Sequence, residues 1–454
     1  MNIITNYTYD ELAKKYSIEL DESDNKDLFV SIMNGNFENV FDENTPQEGL
    51  AYYYMSVYYE LIEKNYDKMK KCYSIAIEKG NTNALYSIGN YYHFVEKNYD
   101  EMKKYYLMSI EKGNIHSINM IGYYYFEIEK NYDQMMKYYL MAIEKGMSIA
   151  MFNLGYYYFE IEKNYDQMKK YYLMAIEKGY SLAMNSLGNY YQDIEKNYVQ
   201  MKKYYLMAIE NGNDDAINSL ANYYLDIEKN YDQMKKYYLM AIEKGYVSSI
   251  NNLGYYYQYI EKNYDQMKKY YLMAIEKEDS SAMNGLATYY RDIEKNYDQM
   301  KKYYLMAIEK GNDSSMHNLG GYYEKIEKNY DLMKKYYLMA IEKGNQIVMN
   351  NLGYYYHFIE KNYDLMKKYY LMGIKNGNPF SMYNLGIYYQ YIEKNYDKMK
   401  KYYLMAIQKG NKKFDIQSKL LEYYLKNPYD LSQYDKIFRN ILYPRVKSNR
   451  PYIC

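Results

Sequence analysis

Ile161-Glu162-Lys163-Asn164-Tyr165-Asp166 recurs, whole or with one residue changed, along most of the chain. Its asparagine stands at Asn65, Asn98, Asn131, Asn164, Asn197, Asn230, Asn263, Asn296, Asn329, Asn362 and Asn395. From Asn65 to Asn395 is 330 residues, ten steps of 33, so eleven copies follow one another without insertion or deletion. A fixed period of this length marks supersecondary units that bury their apolar faces by stacking on neighbours. The chain is therefore read as all-α: an α-solenoid, or superhelix, of about eleven 33-residue helix-turn-helix repeats with atypical caps.

One unit, Ser181 to Gly212, predicts the local fold. Met184, Leu187, Tyr191 and Ile194 follow at steps of 3, 4 and 3, the apolar stripe of an amphipathic helix. Gly188 lies beside that stripe, where a missing side chain lets a neighbour approach. Lys196 is expected to end the helix, with Asn197 as a left-handed terminator. Two residues beyond, usually an aspartate (Asp166, Asp232, Asp265), suits an N-cap or first-turn place in the next helix. That helix should bury Met201, Tyr205, Ala208 and Ile209, turn Lys202 and Lys203 to water, and close at Gly212. Period-two alternation is absent, and the Tyr-Tyr and Lys-Lys doublets would break it, so strands are excluded.

Composition narrows the rest. Lys plus Arg and Asp plus Glu are both 58, so no bulk charge draws the chain to nucleic acid or anionic lipid. Two cysteines, Cys72 and Cys454, make no disulfide framework and fit a reducing compartment. The N-terminal stretch lacks the basic and apolar regions of a secretory signal, and no run approaches the apolar length of a membrane span. The expectation is a soluble, intracellular, cytoplasmic protein. Tyr (76 residues), Lys, Asn and Ile have A/T-rich codons, so nucleotide bias plus core packing accounts for the composition, with a tyrosine-loaded binding surface as the competing reading.

A period of 33 fits both ankyrin and tetratricopeptide lengths, but no copy holds the Thr-Pro-Leu-His turn of ankyrin. The copies resemble tetratricopeptide repeats, and more closely their Sel-1-like subfamily. The resemblance rests on Ala208-Ile209-Glu210-Asn211-Gly212, Ala216 and Leu220-Ala221, and again on Ala175-Ile176-Glu177-Lys178-Gly179, Ala183 and Leu187-Gly188. Tyr191 and Tyr224 match the family tyrosine, and the likeness covers about residues 50–412. Departures are the missing glycine-containing linker, Ala221 and Ala287 for the helix glycine, Glu278 for the closing glycine, Val199 for the first-turn aspartate, and Gly373 for alanine. Near-identical copies with Tyr, Asn and Lys bias resemble the Sel-1-like arrays of giant viruses of amoebae, which would place the protein in host cytoplasm.

Residues 1–48 are expected to form an N-terminal helical cap, with patterns around Tyr9–Tyr16 and Lys26–Met33 separated by acidic Glu19–Asp24. Residues 49–412 form the repeats, and residues 413–454 a degenerate repeat and C-terminal cap. There Phe414–Leu425 imitates a first helix, Asn427-Pro428 breaks the pattern, and Tyr434–Leu442 suits a closing helix.

Chemistry has little foothold. The four histidines, His93, His116, His317 and His357, have no nearby cysteine, and no Gly-rich phosphate loop is present. The Glu-Lys pairs recur in every copy, whereas a catalytic pair needs one special environment. No enzyme, cofactor or metal is expected.

What differs between copies carries more information. The second helix is nearly uniform, while the first varies at three offsets from its leucine. Two before lie Phe152, Asn185, Asn218, Asn251, Asn284, His317, Asn350 and Tyr383. Two after lie Tyr156, Asn189, Asn222, Tyr255, Thr288, Gly321, Tyr354 and Ile387. Five after lie Phe159, Gln192, Leu225, Gln258, Arg291, Glu324, His357 and Gln390. Drift at partly exposed positions is one reading. The resemblance implies another, because first helices line the concave groove of tetratricopeptide proteins. On it the chain is a scaffold or adaptor whose groove of amides and aromatics binds a protein or peptide partner of unknown identity. A one-repeat-per-base RNA reader is disfavoured by neutral charge. A structural spacer without a groove ligand stays open.

Overall fold

In the computed structural model the described residues are 9, 26–35, 48–410, 416, 419, 420, 422 and 423. The expected helix Lys26–Met33 is present. The acidic stretch, most of the Tyr9–Tyr16 and Phe414–Leu425 patterns, the Asn427-Pro428 break and the closing helix lie outside the described residues.

Eleven helix pairs follow in strict register, from Glu48–Leu61 with Tyr66–Glu78 to Pro379–Tyr391 with Tyr396–Gln408. The helices form two compact units, Met1–Leu220 and Ala221–Cys454, the boundary falling within the helix Asp215–Tyr223. Inside each unit every first helix packs on its own second helix, and the second helix on the first helix of the next pair.

The hinge phrase folds the same way in every copy, with one correction to the expectation. Lys196, not Asn197, takes the left-handed conformation (φ 55°), as do ten other lysines from Lys64 to Lys394. Asn197 is extended (φ −93°, ψ 84°) and its side chain accepts from the backbone N–H of Gln200, an N-cap. An asparagine that caps must keep negative φ, so the strained residue becomes its predecessor. Asp166 sits in the first turn of its helix, where a carboxylate favours the dipole.

Upstream, the last turn of the first helix widens. Glu195 N–H reaches back to Tyr190 O (3.3 Å) and Asn197 N–H to Tyr191 O (2.8 Å). In four copies, such as Tyr91–Val95, this turn is fully π-helical. The widening turns the hinge isoleucine outward: Ile194 is 46% exposed and leaves the stripe in which the spacing placed it. Ala183, Met184, Leu187, Gly188 and Tyr190 are the buried residues of that helix.

Tyrosine is mainly a core residue here. Tyr191 stacks on Tyr204 within a hairpin (5.6 Å, 3°), and Tyr165 meets Tyr190 across two repeats (5.3 Å). In the second helix Tyr205 is fully buried with its ring against Gly188, where an added Cβ would lie 2.5 Å from the ring. Of the two lysines expected in water, the first of each doublet is engaged. Lys169 pairs with Glu195 of the next hinge (2.9 Å) and lies over Tyr190 (5.5 Å).

Each second helix closes with a Schellman turn: Gly212 (φ 78°) donates to Ile209 O, and Asn213 N–H to Ala208 O. Glu278 replaces that glycine at φ 63°. Its exposed ion pair with Lys310 (2.7 Å) contributes little. Glu278→Gly is therefore expected to stabilise its hairpin by about 1 kcal/mol, read as slower amide exchange in Tyr264–Glu276. Unchanged or faster exchange there would show that the ion pair outweighs the strain.

Candidate interaction face

The varying residues of the first helices do three separable jobs, and two of them are internal. The first is satisfying the buried second-helix phenol. Tyr205 donates to Asn189 Oδ1 (2.6 Å) and lies 3.2 Å from Gln192 Oε1. Where the residue two after the leucine is Asn or Thr, it receives the hydroxyl: Asn222 from Tyr238 (2.5 Å), and Thr288 paired with Tyr304 (3.1 Å). In three copies where that residue is Tyr, Gly or Ile, the residue five after takes over: Gln258 for Tyr271 (2.8 Å), Glu324 for Tyr337 (2.8 Å), Gln390 for Tyr403 (2.7 Å). In the copies with Phe126, Phe159 and His357 neither column supplies the acceptor, and the Tyr370 hydroxyl has no hydrogen-bond partner within the protein. A buried hydroxyl is best held by an acceptor, and in the other copies two columns share the task.

The second job is an amide ladder between neighbouring first helices, which sequence reading missed. Asn318 donates to Asn284 (3.0 Å), Asn384 to Asn350 (3.0 Å), Asn252 to Asn222 (3.3 Å) and Asn153 to Asn119 (3.1 Å). Ser315 adds a bond to Asn284 (3.0 Å). In three of these pairs the donor sits 34 residues after its acceptor, one repeat plus one, while Asn252 follows Asn222 by 30; such spacings are visible only once the stacking register is known.

Two candidate residues turn inward. Gln258 and His357 are 6% and 5% exposed, so neither is open to a groove ligand. His357 packs against Phe358, Tyr363, Tyr370 and Tyr388, and its Nδ1 has no hydrogen-bond partner within the protein. Burial pushes its pKa down to about 4. The folded state thus prefers neutral imidazole. The stability this brings is complete above the unfolded pKa near 6.5 and is lost as pH falls toward 4. At 1.36 kcal/mol per unit, the loss is at most about 3 kcal/mol. His357→Phe, the residue at the matching positions Phe126 and Phe159, should abolish this acid sensitivity in a melting series from pH 7 to 4; an unchanged slope would reassign it.

The remaining candidate residues are exposed or half-buried. Tyr156, Tyr255 and Tyr354 are 41%, 48% and 46% exposed. Tyr255 pairs with Tyr259 (4.7 Å) and Tyr354 with Phe358 (4.6 Å), one turn further along the same helices. Asn189 is exposed too, while Phe152, Gln192, Asn251, Asn284, Arg291, His317 and Asn350 are half-buried. Asn185 and Asn218 are also half-buried, and Asn185 Oδ1 has no hydrogen-bond partner within the protein.

Two cavities open on this face at equivalent places. One, about 290 Å³, is lined by Tyr156, Phe159, Tyr172, Ser186, Asn189, Tyr190 and Asp193. The other, about 350 Å³, includes Arg291, Asp292, His317, Gly321, Lys325 and Asn351. Among the described residues no group of three His, Cys, Asp or Glu side chains is placed to hold a metal ion. Cys72 is buried, and its thiol is pushed up to about 11, away from thiolate chemistry. No helix among the described residues is long and apolar enough to cross a membrane.

No protein-family model matches the chain. No curated protein matches it in sequence. Among solved structures, it is similar to c5321, a protective antigen of uropathogenic Escherichia coli with an SLR fold. Identity is 21% over 89% of this chain and 97% of that one, with a TM-score of 0.45. A human IFIT1 dimer solved with PPP-AAAA is 16% identical over 87% and 96% of the two chains, with a TM-score of 0.38. A Sel1 repeat protein from Oxalobacter formigenes is 16% identical over 63% of this chain and 90% of that one, with a TM-score of 0.46. Residues 48–410 thus form eleven repeated helix pairs, an all-α repeat fold.

Proposed function

We propose that the chain is a non-enzymatic scaffold whose first-helix face holds extended protein segments. The observation that carries this reading is where the differences between copies come to lie. Second helices present nearly the same lysines, and most first lysines pair with the next hinge glutamate, as in Lys235–Glu261 (2.9 Å). First helices present aromatics and amides that change from copy to copy beside two cavities. Exposed aromatic pairs such as Tyr255–Tyr259 bring large contact area at small entropic cost, the usual anchors of peptide recognition. The paired lysines offer little of the free cationic surface that RNA binding draws on.

A randomised peptide display selection on the full chain tests the reading. Peptides enriched on the wild type should bind the combined Tyr255→Ser, Tyr259→Ser, Tyr354→Ser and Phe358→Ser variant at least about tenfold more weakly, with melting unchanged. No enrichment, or equal binding to the variant, defeats it. So does tighter, salt-sensitive binding of random RNA.

A further inference from the structure

Four columns of the repeat break their pattern once each, and all four breaks line one cavity. Arg291 is the only arginine before Arg439 in a chain that otherwise uses lysine for positive charge. Its column elsewhere holds Glu60, His93, Phe126, Phe159, Gln192, Leu225, Gln258, Glu324, His357 and Gln390. Gly321 is the single glycine of a column that otherwise holds Val, Asn, Tyr, Thr or Ile. Lys325 stands where other copies put Asp, Glu, an aromatic or a leucine, and His317 where they put Asn, Tyr or Phe. Drift scattered along the array has no reason to collect in one place.

The cavity, about 350 Å³, is large enough for a side chain and its backbone. Gly321 holds it open: a Cβ added there would come no nearer to anything than 3.7 Å, at the Tyr337 hydroxyl. The walls carry Arg291, Lys295 and Lys325 against Asp292 alone. Arg291 is already held side-on by Asp292, Nε to Oδ1 at 2.7 Å and Nη2 to Oδ2 at 3.0 Å. The fork is thereby oriented, with N–H donors to spare. Glu324 at the edge accepts from Tyr337 (2.8 Å). Three cations against these two carboxylates leave a surplus of one positive charge in the walls and edge, with Asp313 acting on His317 from outside them. Burial, then the charges of Lys325 and Arg291, lower the pKa of His317 against the opposing pull of Asp313, so the neutral ring is favoured. Since the Asn351 amide, 3.3 Å from Nε2, can only donate, the imidazole proton sits on Nδ1, another donor.

We infer that this cavity is an anion pocket that takes the carboxylate of an aspartate or glutamate side chain in a segment lying along the first-helix face. The inference rests on the function proposed above and names the chemistry it reads at this repeat. A single surplus charge and a planar guanidinium fork match a carboxylate better than a dianionic phosphate. The equivalent cavity at Phe159 and Asp193 has no cation in its walls, so only the Arg291 repeat should select acid.

The test uses the full chain with labelled histidine side chains and three probes: N-acetylglutamate methylamide, the matching glutamine compound, and inorganic phosphate. The glutamate probe should shift the His317 ring signals saturably and leave the buried His357 signals in place. The glutamine probe should bind at least about tenfold more weakly. Arg291→Gln and Lys325→Asp, each installing a residue that other copies carry at that place, should weaken the glutamate probe at least about tenfold with melting unchanged. Equal binding of the glutamine probe, tighter binding of phosphate, or indifference to both substitutions overturns the inference. If selected peptides bind while the glutamate probe does not, the pocket assignment alone falls. If no peptide is enriched, the parent reading falls with it.

Discussion

Tyr205→Ala is expected to destabilise its hairpin by roughly 3–5 kcal/mol, the range for deleting a buried aromatic ring. The ring is fully buried against Gly188, and its hydroxyl bonds Asn189 and Gln192. Tyr205→Phe keeps the ring and should cost only about 1 kcal/mol, because exposed Asn189 can turn to water. The contact with Gly188 supplies a stricter check. Gly188→Val alone would force a branched side chain into a ring already 2.5 Å from where its Cβ must sit. Placed in the Tyr205→Ala background, the same valine would enter the space the ring has left. The double variant should therefore be more stable than the sum of the singles predicts, by about 1–3 kcal/mol of coupling. Additive losses would mean that the ring and the glycine do not depend on each other.

Leu352→Ala should cost about 2–5 kcal/mol, since Leu352 is fully buried in one core cluster with Met366, Tyr369 and Tyr370. The spread of the damage is the more telling result. Each unit of a repeat array touches only its neighbours, so opening should be confined to the hairpin Ile347–Phe358 and Tyr363–Lys375 and the pairs beside it. Amide exchange read residue by residue should speed up there and stay unchanged in Ile115–Glu127. Uniform acceleration along the chain would show a single cooperative body instead.

The hairpin architecture was legible because its cause is local. A helix stop, a cap and a restart in six residues, repeated at a fixed period, leave little room for another fold. What misled was also local. Asn197 suits a left-handed turn by propensity, yet its capping bond to Gln200 decides its backbone, and Lys196 takes the strain instead. Ile194 kept the helical spacing, but the widened turn before the hinge rotated it outward. The candidate face was legible as columns and illegible as chemistry. That Asn284 would be claimed by Asn318 and Ser315 depends on the stacking register, which no single copy encodes. That Arg291, His317, Gly321 and Lys325 line one cavity requires two repeats to be superposed in space.

The shared duty of the two phenol-accepting columns bears on how such an array can change over time. A copy whose tyrosine is held by Asn222 has no need of a polar residue at Leu225, and one served by Gln258 is free to place a tyrosine at Tyr255. In the copies that carry such an acceptor, stability constrains a choice between two sites and leaves the other unconstrained; the copies with Phe126, Phe159 and His357 use neither. After a duplication, one site can be rewritten while its counterpart keeps the hydroxyl satisfied, and the roles can later be exchanged. Where both acceptors are present, as at Asn189 and Gln192 around Tyr205, the array carries its own redundancy, and new surface chemistry can be tried in that copy without first weakening the core.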